Sequence, residues 1–257
     1  MNISTEALSS TLIQKGFYHI SGIGTGLKHL RFYHVKQEKE DIYLFSNEAI
    51  CDNADVVLTL PQSGACLIYE PWDNKCYRGM AKEGKLPLKL EKGNMVFVIF
   101  GSDVPKGLPV FRCEVDRKTL PLRFDIAVRT EEETDFHTIA TNTELYDISE
   151  KDSRFSGEVL YRTKFIADPS YTVLDLGEVG EVAEAWLNGQ YLGARINAPY
   201  KFSLRDTLRE GENDLKILVK SNLAHRRRDM FSKYLPIPPT GIVGDVAICQ
   251  YEDLYTL

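Results

Sequence analysis

No window of the chain approaches the ~18 uncharged apolar residues that a membrane-spanning helix requires. Met1 to Ser10 carries neither a basic residue nor an apolar core, so no membrane partner and no export signal are expected, and the cytoplasm is the expected compartment. Positive charge is in deficit as well: 31 bases face 37 acids, a net charge of −6. Nucleic acid is therefore not an expected partner, because a phosphate backbone demands a cationic face. Cysteine is scarce and odd in number, with five residues at 51, 66, 76, 113 and 249 and no CxxC spacing, which argues against both a disulfide framework and a zinc site. If Tyr69 to Lys75 closes as a simple hairpin, Cys66 faces Gly79 rather than Cys76, so even the nearest pair is not opposed. A reducing compartment fits this usage.

Helix signals are equally sparse. Only the first fifteen residues carry them: Ser4 or Thr5 as a cap, Glu6 in the first turn, and Ala7, Leu8, Leu12 and Ile13 along one side before Gly16. The segment Gly22-Ile23-Gly24-Thr25-Gly26 has the glycine density of a dinucleotide-binding loop, but that loop must open a helix. Here Leu27 to Val35 follows, rich in strand-forming Phe, Tyr and Val. A flexible joint is expected there, and no cofactor.

What the chain does have is a core and a period of two. Hydrophobic residues make up 43% of the 257 positions, enough for one large domain or two ordinary ones. A catalytic (β/α)8 barrel takes ~250 residues and could not share this length with anything else. From Arg31 onward short alternating runs are broken by turn residues every ten or so positions, the pattern of a β-sandwich. Asp41 to Ser46, Asp55 to Leu60, Ala65 to Glu70, Lys85 to Leu90 and Asn94 to Phe100 are the expected strands of a first small sandwich. The stretch Gly101 to Pro109, with two prolines and two glycines, is the expected boundary. Beyond it Val159, Tyr161 and Phe165 share a face, Leu174 and Leu176 alternate with Asp175, and Ala183, Ala185 and Leu187 lead to Asn188-Gly189, the preferred pair for a two-residue hairpin turn. With Phe202, Leu204, Leu215, Ile217, Val219, Val246 and Ile248, these rows fill a jelly-roll-sized sandwich. The expected partition is 1–30, an N-terminal helix and joint left from a preceding domain; 31–104, a small β-sandwich; and 110–257, a jelly-roll sandwich. The fold class is mainly β.

Several of these residues also carry a family likeness. Ser156-Gly157 before Tyr161 and Phe165, Leu174-Asp175-Leu176-Gly177, Asn188-Gly189 with Gly193, Pro199-Tyr200, Gly211-Glu212-Asn213, Asn222, and Pro239 with Gly241 and Gly244 resemble the sugar-binding sandwich of family 2 glycoside hydrolases. That resemblance implies a galactose-binding-like jelly roll. In the first half, Arg31 with His34, Asp41-Ile42-Tyr43, Asn47, Trp72-Asp73 and Val96 to Phe100 resemble the small sandwich that follows the barrel in family 106 α-L-rhamnosidases. The two halves in this order resemble the rhamnosidase arrangement from Arg31 to about Tyr251. The resemblance implies a catalytic barrel, with its general acid and base, ahead of residue 1. Two positions depart from the pattern: Ile196-Asn197 stands where an aromatic usually precedes Ala-Pro-Tyr, and His225-Arg226 where an Asn-Arg pair is usual.

Glycoside hydrolysis needs two carboxyls flanking one bond, ~5–9.5 Å apart, with one held protonated. The acids cluster instead as Glu131-Glu132-Glu133 with Asp135, in a loop without apolar shelter, and as Glu178, Glu181 and Glu184. The first set is expected to be a solvated face. The second is placed to help hold a structural calcium if one is bound. No GxSxG or HExxH occurs, Cys51, Cys66 and Cys76 lack a nucleophile signature, and His34 is expected to be a hydrogen-bonded structural residue. Sugars are gripped by flat aromatic faces and planar hydrogen-bonding groups. Trp186, which alternates away from the inward row, with Asn188, Arg195, Asn197 and Tyr200 is the candidate patch, the alternative being that Trp186 packs against another domain. The basic run His225-Arg226-Arg227-Arg228 is either a ligand or interface loop or ordinary surface. Trp72, after Pro71 at a hairpin tip, is a candidate plug for a domain interface. The expectation is a non-catalytic β-sandwich portion of a rhamnosidase-like glycoside hydrolase that supports a separate catalytic barrel and contacts carbohydrate. The alternatives are a free-standing carbohydrate-binding module and a structural protein-interaction unit.

Overall fold

The computed structural model describes residue 11 and residues 20–101, 103–166, 168–227 and 237–255. The helix expected over Ser4 to Lys15 lies, but for Thr11, outside the described residues, as do Arg228 and the residues that follow it to 236. The chain is mainly β. Between residues 20 and 255 the described helix is one turn at Ile148–Lys151 and a 3-10 turn at Leu27–His29. Two compact units form: the first takes in the described residues up to Cys113 together with Asp253 to Tyr255, the second Glu114 to Glu252.

The first unit holds β1 (Ser21–Thr25), β2 (Leu30–Lys36), β3 (Asp41–Asn47), β4 (Ala54–Thr59), β5 (Gly64–Glu70), β6 (Lys75–Ala81), β7 (Lys85–Leu90) and β8 (Met95–Phe100). They make a three-stranded sheet, β1-β4-β7, and a five-stranded sheet, β2-β3-β8-β5-β6. Alternation sends Val56, Leu58, Leu86 and Leu88 from one sheet and Tyr43, Phe45, Ile68, Val96 and Val98 from the other into one buried core, each side chain worth ~1.5–3 kcal/mol of transfer free energy. The expected hairpin register holds, with Cys66 opposite Gly79. Burial pushes the Cys66 thiol up to about 12.

Two expectations are corrected here. The glycine-rich segment is not a joint but strand β1, fully paired with β4 from Ser21↔Thr59 to Thr25↔Asp55. Its glycines serve close approach: at Gly24, with φ +131, a Cβ would stand 2.2 Å from the Asp55 carbonyl oxygen. The first unit also runs past the expected boundary. Arg78 N–H donates to Pro109 O at 2.8 Å, Phe111 N–H to Arg78 O at 3.1 Å, and Phe111 is buried in the core. From the other end of the chain Leu254 N–H donates to Phe111 O, and buried Tyr255 donates its hydroxyl to Pro87 O at 2.7 Å. A chain break at Gly101 to Pro109 would have left Phe111 and Tyr255 in water, and burying them moves the division to Cys113 and Asp253.

The outward side of the five-stranded sheet departs from alternation. In register, Tyr33, Leu44, Phe97 and Tyr69 form one outward row. Val35, Ile42, Ile99 and Leu67 form the next.

The second unit packs a six-stranded sheet against a four-stranded one. The six strands, in the order β11-β10-β12-β18-β15-β16, are β10 (Phe124–Thr130), β11 (His137–Thr143), β12 (Gly157–Ile166), β15 (Val182–Leu187), β16 (Gln190–Arg195) and β18 (Glu212–Lys220). The four, in the order β17-β13-β20-β9, are β9 (Arg112–Thr119), β13 (Val173–Asp175), β17 (Lys201–Ser203) and β20 (Ala247–Asp253). The short strands β14 (Val179–Gly180) and β19 (Gly241–Ile242) pair with each other. Val159, Tyr161, Ala183, Ala185, Ile217 and Val219 meet Leu174, Phe202 and Ile248 in the core. The Asn188-Gly189 turn has φ of 52° and 83°, the two positive values that a type I′ hairpin needs.

Candidate functional site

One end of the second unit gathers the loops. The link β10 to β11, the entry to β12 at Ser156, the exit from β18 at Ser221 and the start of β15 all lie there, because Arg129↔Glu158↔Lys220↔Val182 is a single register row. The end of β16 joins them through the Ala183↔Arg195 pair. An open recess of about 460 Å³ is lined there by Arg129, Glu131, Glu133, Glu158, Lys220 and Ser221, among others.

The recess is held by charge pairs. Arg129 binds Glu158, Lys220 binds Glu184 at 2.7 Å, and Arg226 holds Glu131 at 3.0 Å and also Glu132. Glu133 accepts from Thr130 N at 2.7 Å and Thr130 Oγ1 at 2.9 Å, and these bonds draw its carboxyl below the usual range. That direction is opposite to what a general acid needs. The Glu184 hydrogen bond raises the Lys220 ammonium above its ordinary value, as the Glu132 bond does for Arg226.

Glu181 ties two of the loops together. Its carboxylate accepts from Asn222 Nδ2, and its carbonyl accepts from the Tyr200 hydroxyl at 2.5 Å. Burial, with the nearby Glu181 charge, raises the Tyr200 phenol. Glu181 holds this position at φ +88°, a left-handed conformation that side-chain-bearing residues seldom adopt, and such outliers cluster at functional loops.

Of the residues singled out in the sequence, Arg195, Asn197, Tyr200, His225 and Arg226 fall at this end. Asn197 is exposed. Tyr200 and His225 are buried, the latter 2.9 Å from Pro238 O through Nε2. The Arg195 guanidinium lies 5.3 Å over the Phe202 ring. Trp186 and Asn188 sit at the other end of β15, so the seven do not make one patch. Asn188 is occupied by the fold: it donates to Thr207 O and Asn213 Oδ1, both at 2.9 Å, and accepts from Asp214 N. Trp186 faces outward as expected but its ring is not open. Lys216 Nζ stands 3.8 Å above it and the Tyr191 ring 5.2 Å away.

The remaining expectations resolve locally. His34 Nε2 lies 2.7 Å from Asp41 Oδ1 and the ring stacks 4.2 Å from Tyr43. Trp72 is half-buried at the turn after β5, its indole N–H buried with no acceptor. Glu181 and Glu184 are held by Asn222 and Lys220, and among the described residues no group of three acidic, histidine or cysteine side chains is arranged to hold a metal. No described helix is long and apolar enough to cross a membrane. Sequence reasoning missed Glu158 and Lys220 as parts of one recess and Glu181 as the link between two loops. The signal for the first two was only the charge at the ends of two strands remote in sequence.

No protein-family model and no curated protein matches the sequence. Solved structures do match in fold. A rhamnosidase from Novosphingobium sp. PP1Y superposes on 97% of this chain with a TM-score of 0.71 at 20% identity, and the match takes up 26% of that protein. The chain thus spans about a quarter of the length of that rhamnosidase. β-Glucuronidases of Bifidobacterium dentium and Faecalibacterium prausnitzii align over 54% and 58% of this chain, at 17% and 19% identity, covering 30% and 32% of theirs, with TM-scores of 0.37 and 0.35.

Proposed function

We propose that this chain is the non-catalytic β-sandwich portion of a rhamnosidase-like glycoside hydrolase, in which it supports a catalytic barrel and contacts carbohydrate. The observation that carries the reading is the match of nearly the whole chain to one quarter of a rhamnosidase, at a TM-score of 0.71. A fold by itself does not make a function, but the chemistry of the recess agrees. Its carboxylates are engaged with Arg129, Arg226 and the Thr130 N–H, and the one with a shifted acidity is more acidic than usual. On this reading the second unit is the galactose-binding-like module of a family 106 type protein. Its carbohydrate contacts belong to the loop end, through Asn197, Arg195 and Arg226, with Glu181 as the residue that positions Tyr200 and Asn222. Trp186, covered by Lys216, belongs to a second outward surface.

The purified chain is expected to release no product from nitrophenyl rhamnosides. Calorimetric titration with rhamnose-containing oligosaccharides is expected to give binding that weakens in Arg226→Ala and is unchanged in Trp186→Ala. Hydrolysis abolished by a single Glu→Gln change would overturn the non-catalytic assignment, and binding lost in Trp186→Ala alone would move the contact to the other end of β15.

A further inference from the structure

An antiparallel sheet with one face in water alternates apolar and polar residues, whereas a strand covered on both sides reads as a continuous apolar run. In the five-stranded sheet of the first unit, β3 and β8 follow the second rule. Phe45, Val96 and Val98 point into the core, yet the residues between them, Leu44, Phe97 and Ile99, are also apolar. The outward rows continue onto edge strand β2 at Tyr33 and Val35, which are 68% and 42% exposed. Across β2, β3, β8 and β5 the two rows contain no charged side chain, and on edge strand β6 they end at Cys76 and Arg78.

We infer that this outward face is the seat of a second folded domain, the catalytic domain of the glycosidase to which the chain is assigned above. The inference rests on that reading. It commits to a joined domain rather than a second copy on grounds of area. Two rows across four strands, at ~4.8 Å between strands and ~7 Å between rows, cover on the order of 250 Å². A free-standing dimer needs ~800 Å² from each partner. A domain held by chain continuity has a high effective concentration and needs less contact. The match to only 26% of a rhamnosidase supplies the rest of such a protein. An aromatic and aliphatic patch whose charge, Arg78, stands at the edge strand has the chemistry of an interface with a dry centre and a polar rim.

Hydroxyl-radical footprinting tests this. The probe is the glycosidase domain encoded in frame with this chain or beside it, compared as the joined or equimolar pair against the chain alone. Oxidation of Tyr33, 68% exposed, is expected to fall on the order of tenfold in the pair, as for a residue moved to an interface core. Leu44→Lys is expected to restore it. Val35→Lys, on the edge strand and 42% exposed, gives the same answer if Leu44→Lys fails to fold. Equal Tyr33 oxidation in both samples, or protection untouched by the lysine variants, overturns the inference and leaves the glycosidase reading standing. Protection of Tyr33 in the chain alone, tracking a dimer in sedimentation, also overturns it, in favour of a second copy. Absence of any glycosidase domain encoded with the chain overturns both.

Discussion

Single side chains in this protein act mainly by satisfying buried polar groups. Tyr161 is fully buried, and its hydroxyl accepts the Ile242 N–H at 3.1 Å, 81 residues away in sequence. Tyr161→Phe keeps the ring but strands that N–H without an acceptor, a loss of ~1–3 kcal/mol, and urea denaturation is expected to show it as a lower midpoint with an unchanged slope. The Asp41 and His34 pair gives a pH dependence instead. Burial pushes the Asp41 carboxyl up, but its hydrogen bonds from His34 and Gln62 outweigh that and leave it below its ordinary value of 3.8. A carboxyl depressed in the folded state stabilises above its unfolded pKa and loses that contribution as pH falls through the folded value. The wild-type chain is therefore expected to lose stability below about pH 4, and Asp41→Asn to show a flatter dependence across that window in acid titrations followed by circular dichroism.

At the scale of elements, spacing predicted most of the strands but not all. Lys85–Leu90 falls where the alternation predicts it, because leucines at every second position admit one reading. Lys75–Ala81 was legible only as the far arm of the Tyr69 hairpin: its inward positions include Gly79 and Ala81, too small to mark a period. Strand β1 was misread for the same reason, since glycine density reports a backbone need without saying which one. Here the need is room beside β4. Gly24→Ala would drive a Cβ against the Asp55 carbonyl oxygen at 2.2 Å in a positive-φ conformation, and a loss of roughly 2 kcal/mol or more is expected. Cys66 alkylation under native conditions reads it, because that thiol is fully buried and raised to about 12, so it reacts only when the first unit opens.

On the scale of the whole molecule the chain is threaded so that the second unit is an insertion within the first. The first unit is left after Cys113 and re-entered at Asp253, and its core is finished by Tyr255, 168 residues beyond the Pro87 carbonyl that its hydroxyl meets. Tyr255→Ala removes a ring from that core and is expected to cost ~3–5 kcal/mol. Accelerated alkylation of Cys66, with the circular dichroism of the second unit's strands retained, would report it. Unchanged Cys66 reactivity would show that the first unit stands without its C-terminal piece.

The sequence by itself determined the class of fold, the inward rows, the Asn188-Gly189 hairpin and the opposition of Cys66 to Gly79, because strand periodicity and turn chemistry act over a few residues and leave a local trace. It also signalled Glu131, Glu132, Glu133 and Asp135 as surface groups, through their lack of apolar neighbours. Only the tertiary structure decided which of the candidate site residues share an end of the second unit, that Asn188 is consumed by its own turn, that Lys216 covers Trp186, and that Glu181 links two loops. Those outcomes depend on which strands lie side by side, and pairing between segments tens of residues apart is settled by the packing of the core as a whole.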